Sequence, residues 1–199
     1  VYLQIDRQQL KMFPVDWIQL RGQHNISNVL AACAAAAAAS LALPAIQSAV
    51  EEFTGVPHRL EFVRNVRGAD WYNDSIATAP ERTLAALQSF QGPLVLLLGG
   101  RDKDLPWEKL AGEVHSRVRH AVLFGEAADL ISRALGTVKG GETLQSITQC
   151  ANLYEAVQKA AELAQENDTV LLSPGGTSYD AFKDFEERGE YFRQWVNAL

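Results

Sequence analysis

The residues best suited to chemistry lie between Asp168 and Phe192, in the run DTVLLSPGGTSYDAFKDFEERGEYF. Val170, Leu171 and Leu172 predict a buried strand that breaks at Ser173-Pro174-Gly175-Gly176. A helix is expected to restart at once, its first turn holding Thr177, Ser178 and Asp180 and its body running from about Tyr179 to Val196. A strand feeding a small-residue loop and a helix start aims unpaired N–H groups and a positive dipole end at one spot. Such a spot suits a carboxylate or a phosphate. The plainer reading is that Gly175 and Gly176 only make a tight turn and that Thr177 or Ser178 only caps the helix.

Three other segments carry residues of the same kind. In Asp74-Ser75-Ile76-Ala77-Thr78-Ala79-Pro80-Glu81, Thr78 and Glu81 have capping-box spacing with Pro80 in the first turn. A capped start still leaves other N–H groups for a ligand. Asp74, at a strand end, can serve a ligand or only a nearby turn donor. Gly99-Gly100-Arg101-Asp102-Lys103 follows the apolar Leu94–Leu98; its glycines allow close backbone approach to a ligand, and Lys103 can place a point charge there. Four of the six residues from Arg101 to Pro106 are charged, which also describes an ordinary solvated loop. Asn25 and Asn28 are three apart and share one helix face, each amide offering a donor and an acceptor, with His24 before them as a simple cap. Arg59 follows His58, which reads as structural. Phe182, Phe185, Gly189, Phe192 and Val196 recur at packing intervals, placing Lys183 and Arg188 on the solvated side.

The elements that must position these residues fall into two parts. Val1–Leu20 has short apolar pieces around Leu3–Ile5 and Trp17–Leu20, read as strands, with Pro14 between them. A buried helix over Asn25–Ala42 and another over Pro44–Phe53 follow. Gly55-Val56-Pro57 punctuates the chain, so the domains divide into 1–55 and 56–199, with any hinge at that tripeptide. Beyond it, strands are predicted at Leu60–Val66, Trp71–Asn73, Leu94–Leu98, Ala121–Phe124 and Thr169–Leu172. Helices are predicted at Pro80–Phe90, Trp107–Val118, Ala127–Leu135 and Tyr154–Ala164, before the final one. Continuous apolar runs mean strands covered on both faces, hence an α/β fold with a Rossmann-like, mostly parallel sheet. Ligands of such sheets collect at the carboxyl ends of the strands, where Asp74, Gly99-Gly100 and Ser173–Gly176 fall.

Composition narrows the classes. A net charge of −6 over 199 residues argues against nucleic acid, which needs a basic face. Cys33 and Cys150 lack metal-ligand spacing and read as free thiols in a reducing compartment. Val29–Val50 has no charged residue, yet it is mostly alanine broken by Ser40, Pro44, Gln47 and Ser48, so no membrane span or signal peptide is expected.

LLSPGGTSYDAFKDFEERGEYF resembles the C-terminal signature of the Mur ligases, in particular the branch that adds D-glutamate to UDP-N-acetylmuramoyl-L-alanine. Gly22–Asn28, Pro57–Glu61, Asn73–Thr78 and Leu97–Lys103 resemble further motifs of that family in the same order, so the likeness spans Gly22 to Phe192. It implies a bacterial, cytoplasmic, ATP-dependent amide ligase of peptidoglycan synthesis, using magnesium and expected as a monomer. The resemblance implies that Thr78, Lys103, Ser178 and Phe185 meet D-glutamate, Lys103 at the α-carboxylate and Ser178 with the Phe185 backbone at the γ-carboxylate. It implies that Asn25, Asn28, Arg59, Asp74 and Tyr179 meet ATP. Ile76 stands where one form of the family has a lysine, so Lys103 or Arg101 is expected to compensate.

Residues 1–55 then become the tail of a central ATP-binding domain and 56–199 a complete glutamate-binding domain. The 199 residues contain no Gly-x-x-x-x-Gly-Lys-Ser/Thr loop for the β- and γ-phosphates, so the chain is expected to be a segment of a longer protein and inactive alone. Two alternatives stand beside this reading: a folate-type polyglutamate ligase, and a non-catalytic sensor of a small acid or nucleotide.

Overall fold

The computed structural model describes residues 1–5, 8–138, 140–141 and 143–199, with the backbone alone for 3–5, 8, 23 and 24. It divides into two compact units, Val1–Gly55 and Val56–Leu199. Gly55 takes a φ of 123°, a region that side chains rarely enter.

The first unit holds an antiparallel hairpin, β1 (Tyr2–Ile5) with β2 (Gln8–Lys11), and two helices, α1 (Gln23–Ala38) and α2 (Leu43–Glu52). Trp17–Leu20 is not a strand: a 3-10 turn at Val15–Trp17 follows Pro14, and Trp17 stacks on Phe13 with ring centroids 6.3 Å apart. The fixed φ of proline opens a turn more readily than a strand. α1 starts one residue ahead of His24 and is capped by Gly22 at φ 90°, so the expected histidine cap is already inside the helix; the His24 side chain lies outside the described residues. Nor is α1 a buried helix. Among its described side chains only Asn25 and Cys33 are buried, and Met12, Phe13, Cys33 and Ile46 form the core of this unit. Residues 1–55 supply only the hairpin, the 3-10 turn and α2 to pack against α1, so one stripe is covered within this chain. Among the described residues no helix is long and apolar enough to cross a membrane, and both cysteines are free.

The second unit is built on six strands: β3 (Glu61–Val66), β4 (Ala69–Asn73), β5 (Leu94–Gly99), β6 (Val118–Phe124), β7 (Ser146–Gln149) and β8 (Thr169–Gly175). Their spatial order is β3-β4-β8-β5-β6-β7, and all neighbours are parallel except the β3–β4 pair. The helices are α3 (Pro80–Leu87), α4 (Glu108–Arg117), α5 (Ala128–Leu135), α6 (Leu153–Leu163) and α7 (Phe185–Asn197). Along β5, Leu94, Leu96 and Leu98 pack in one core with side chains of α3, α4 and α5. Val95 and Leu97 pack in a second core with α6 and α7. Alternate residues thus enter opposite cores, and a leucine-rich run without polar breaks is the result. β7 escaped the sequence reading because it is a polar edge strand, with only Ile147 packed against the core.

Two helix starts differ from expectation. α3 is capped by Ala79 without a side-chain bond, so Thr78 is not its cap; Pro80 at the first position supplies the helical φ instead. α7 begins at Phe185, not near Tyr179. The Asp184 carboxylate accepts from the Glu187 amide at 2.8 Å and the Glu187 carboxylate accepts from the Lys183 amide at 2.6 Å, a reciprocal cap that fixes the start there.

Candidate functional site

β4, β8 and β5 lie side by side, so their carboxyl ends deliver three loops to one place. The Asp74 amide donates to the Leu172 carbonyl at 2.7 Å and the Gly175 amide to that of Ala77 at 2.9 Å, which sews the Asp74–Thr78 turn to the end of β8. Arg101 and Thr177 exchange backbone bonds of 2.9 and 2.8 Å, which sews the end of β5 to the segment that carries Ser178. These are the three segments that the sequence placed at the carboxyl ends of strands.

The glycines of this region serve the fold. A Cβ on Gly99 would sit 2.0 Å from the Phe124 carbonyl oxygen and one on Gly100 2.1 Å from that of Thr177. Gly175 faces the Trp107 indole, 2.7 Å from where its Cβ would be. The absence of side chains at Gly99 and Gly100 is thus required by the protein's own backbone.

Two helix starts border this place, that of α3 at Pro80 and that of α7, which lies at Phe185 rather than beside Ser178. No side chain caps α3; Pro80 has no N–H and the Arg82 amide donates to the Ala79 carbonyl at 3.0 Å, which leaves the Glu81 amide of the first turn for a ligand near the half-buried Thr78. Ser178 instead sits in a turn, its carbonyl accepting from the amides of Ala181 and Phe182 at 3.1 and 2.8 Å, and it is only 2% exposed. Asp180 reaches away from it and accepts from the Glu126 amide at 3.3 Å. The Phe185 carbonyl accepts from the Ser75 hydroxyl at 2.7 Å, which brings the start of α7 to the Asp74–Thr78 turn. Lys103 is exposed. Arg101, considered as a stand-in for the lysine absent at Ile76, is held by Glu126 through bonds of 2.8 and 3.0 Å.

The residues considered for nucleotide fall in different units. In the first, the Asn25 amide donates to the Arg21 carbonyl at 2.7 Å, and the exposed Asn28 donates to the Asn25 side chain at 3.3 Å. In the second, Arg59 and Tyr179 are exposed and Asp74 is buried. Asp74 accepts from the Ser173 hydroxyl at 2.8 Å and the Leu60 amide at 3.2 Å. Burial pushes its carboxyl up to about 7, against the pull of those two donors and of the Arg59 and Arg82 charges.

Of the residues that hold this region together, sequence reasoning read His58 as structural and missed Asn73 and Arg188. Asn73, fully buried, donates to the Gly189 carbonyl at 3.2 Å and accepts from the Ser75 amide at 3.2 Å. His58 lies 2.9 Å from the Asn73 amide and fills the space a Cβ on Gly189 would take. Arg188, assigned to solvent by helical spacing, is fully buried; its guanidinium donates to Ser75 and Gly176. The glycine next to it was the available signal, since a glycine inside a helix marks close approach. A separate cleft of about 550 Å³ opens at the amino ends of β5 and β6, lined by Pro93, Arg117, Arg119 and Gln145 among others. It includes none of the residues above. Among the described residues no three of His, Cys, Asp and Glu gather to hold a metal ion.

The sequence matches the family model described as Mur ligase, glutamate ligase domain, over residues 58–176. It is 45% identical over 185 residues to the UDP-N-acetylmuramoylalanine–D-glutamate ligase of Symbiobacterium thermophilum, covering 93% of this chain and 40% of that protein. With the same-named protein of Clostridium tetani the identity is 40% over 191 residues, or 95% of this chain and 41% of the relative. The chain thus spans about two-fifths of the length of these curated relatives. Among solved structures, a pseudomurein peptide ligase type C from Methanothermus fervidus superposes with a TM-score of 0.71 at 21% identity, over 99% of this chain and 39% of that one. A Mycobacterium tuberculosis folylpolyglutamate synthase gives 0.65 at 18%, over 87% and 41%. Those two are likenesses of fold. The family match covers more than half of the sequence, and the chain belongs to the Mur ligase family through its glutamate ligase domain.

Proposed function

We propose that this chain is the D-glutamate-binding portion of an ATP-dependent ligase that adds D-glutamate to UDP-N-acetylmuramoyl-L-alanine in bacterial, cytoplasmic peptidoglycan synthesis. The observation that carries the reading is the backbone stitching of the Asp74–Thr78 turn, the end of β5 and the Ser178 segment into one place, in a chain whose curated relatives bear that ligase name. Residues 1–55 are then the tail of the ATP-binding domain and 56–199 the glutamate domain.

A dicarboxylate needs two anion sites held apart by the fold. One is Thr78 with the uncapped start of α3, aided by the exposed Lys103. The other is the Ser178 hydroxyl with the first-turn N–H of Phe185, which α7 leaves unpaired. Asn25, Asn28, Arg59, Asp74 and Tyr179 are the residues assigned to ATP; the exposed Arg59 offers a charge to phosphate, while the buried Asp74 acts by holding Ser173 and the Leu60 backbone beside it. No metal cluster suits magnesium among the described residues, so no step on this chain is assigned to it.

In the whole protein the alanine carboxylate attacks the γ-phosphorus of ATP and ADP leaves. The glutamate amine then attacks the acyl carbon, the amine loses a proton, and phosphate departs. This chain's part is orientation of the amine, which converts an encounter into an intramolecular attack.

The reading is tested by phosphate release. The 199-residue chain alone is expected to show no turnover, and measurable turnover overturns its assignment as a portion of the ligase. In the full-length protein D-glutamate is expected to support the reaction and L-glutamate not. Ser178→Ala is expected to raise the KM for D-glutamate about tenfold or more, the loss of a bond to a charged group, with the KM for ATP within about twofold.

A further inference from the structure

The buried guanidinium of Arg188 has no role in the contacts just assigned. It is 0% exposed, yet every acceptor it reaches is neutral: Nε to the Ser75 hydroxyl at 3.0 Å, Nη2 to the Ser75 carbonyl at 2.8 Å and Nη1 to the Gly176 carbonyl at 3.1 Å. Among the described residues no carboxylate oxygen lies within 4 Å of it. Its slot is built: a Cβ on Gly100 would come within 2.9 Å of Nη1. An arginine held this way is a costly way to fill a core, because taking a charge out of water is strongly unfavourable unless something offsets it.

We propose that Arg188 is a positioning residue for the acidic ligand: its fork ties the Ser75 turn to the Gly176 loop, and its charge faces the dicarboxylate from behind both. The Ser75 hydroxyl that receives Nε donates onward to the Phe185 carbonyl, so a single side chain sets the spacing between the Asp74–Thr78 turn, the Ser178 segment and the start of α7. A planar fork fixes two loops at once, which an ammonium cannot do. Burial pulls the guanidinium down to about 10, with Asp180 acting the other way, so it remains charged at neutral pH. That supplies, from beneath, the cation that Ile76 does not bring to the surface of the site.

The proposal rests on the D-glutamate reading above, and its test separates the two. Steady-state phosphate release by the full-length ligase is measured with D-glutamate and ATP varied in turn. Arg188→Lys keeps the charge and loses the fork. It is expected to raise the KM for D-glutamate about tenfold, with the KM for ATP within about twofold and the melting midpoint within about 5 °C of the parent. A D-glutamate KM within twofold of the parent, or an equal rise in both KM values, overturns the proposal. If Arg188→Lys does not fold, Ser75→Ala decides: it removes the relay to Phe185, and about a threefold rise confined to D-glutamate is expected, an unchanged KM overturning the idea. Ser178→Ala reports on the underlying reading. If it leaves the D-glutamate KM unchanged while Arg188→Lys raises it, the direct contacts are misassigned and the positioning role stands. If Ser178→Ala raises it and Arg188→Lys does not, only the positioning role falls.

Discussion

Asp74 is a carboxyl whose environment pulls in two directions. Removal from water favours its neutral form, while the Ser173 hydroxyl, the Leu60 amide and the nearby Arg59 and Arg82 charges favour the ionised one; burial wins and the group is pushed up to about 7. In an unfolded chain the same carboxyl titrates near 4. The folded state therefore binds the extra proton between about pH 4 and pH 7. Its contribution to stability is complete below pH 4 and is lost as pH rises through 7, on the order of a few kcal/mol. Asp74→Asn mimics the protonated form. Urea unfolding of the parent and of Asp74→Asn at several pH values is expected to show the parent losing stability over that window relative to the variant. Parallel profiles would mean that Asp74 is ionised throughout.

At the scale of elements, the start of α7 decides what kind of place Ser178 occupies. The Asp184–Glu187 pair caps the helix six residues after Ser178, and the same logic recurs at α6, where Asn152 accepts from the Glu155 amide at 2.9 Å and Glu155 reaches back to the Ala151 amide at 3.0 Å. Asp184→Ala is expected to cost about 1 kcal/mol in urea unfolding, and Asp184→Asn, which still caps, to recover most of it. No loss in Asp184→Ala would return the helix start toward Tyr179. The Asp184-x-x-Glu187 spacing was legible; the aromatic recurrence from Phe182 obscured it, because Phe182 packs against the core from a turn rather than from the helix. The strands β4, β5 and β8 and the meeting of their ends could be read from apolar runs and small-residue loops. What periodicity could not reveal was Arg188: its helical phase points it at the cavity left by Gly100, and a glycine two strands away is invisible to spacing along α7.

At the scale of the molecule, the two units differ in how much they can bury. Val56–Leu199 has two cores on opposite faces of one sheet, with β5, β6 and β8 contributing to both. Val1–Gly55 has Met12, Phe13, Cys33 and Ile46 as its buried apolar side chains among the described residues, around a helix whose alanines stay largely exposed. Burial scales with size, and a piece of about 55 residues with so small a core sits near zero net stability once chain entropy is counted. Residues 56–199 produced alone are therefore expected to unfold cooperatively, with a midpoint within about 5 °C of the main transition of the 199-residue chain. Residues 1–55 alone are expected to show no cooperative transition by circular dichroism. If 56–199 fails to melt cooperatively, the boundary at Gly55 is not a folding boundary, and the sheet with its two cores does not suffice for a domain.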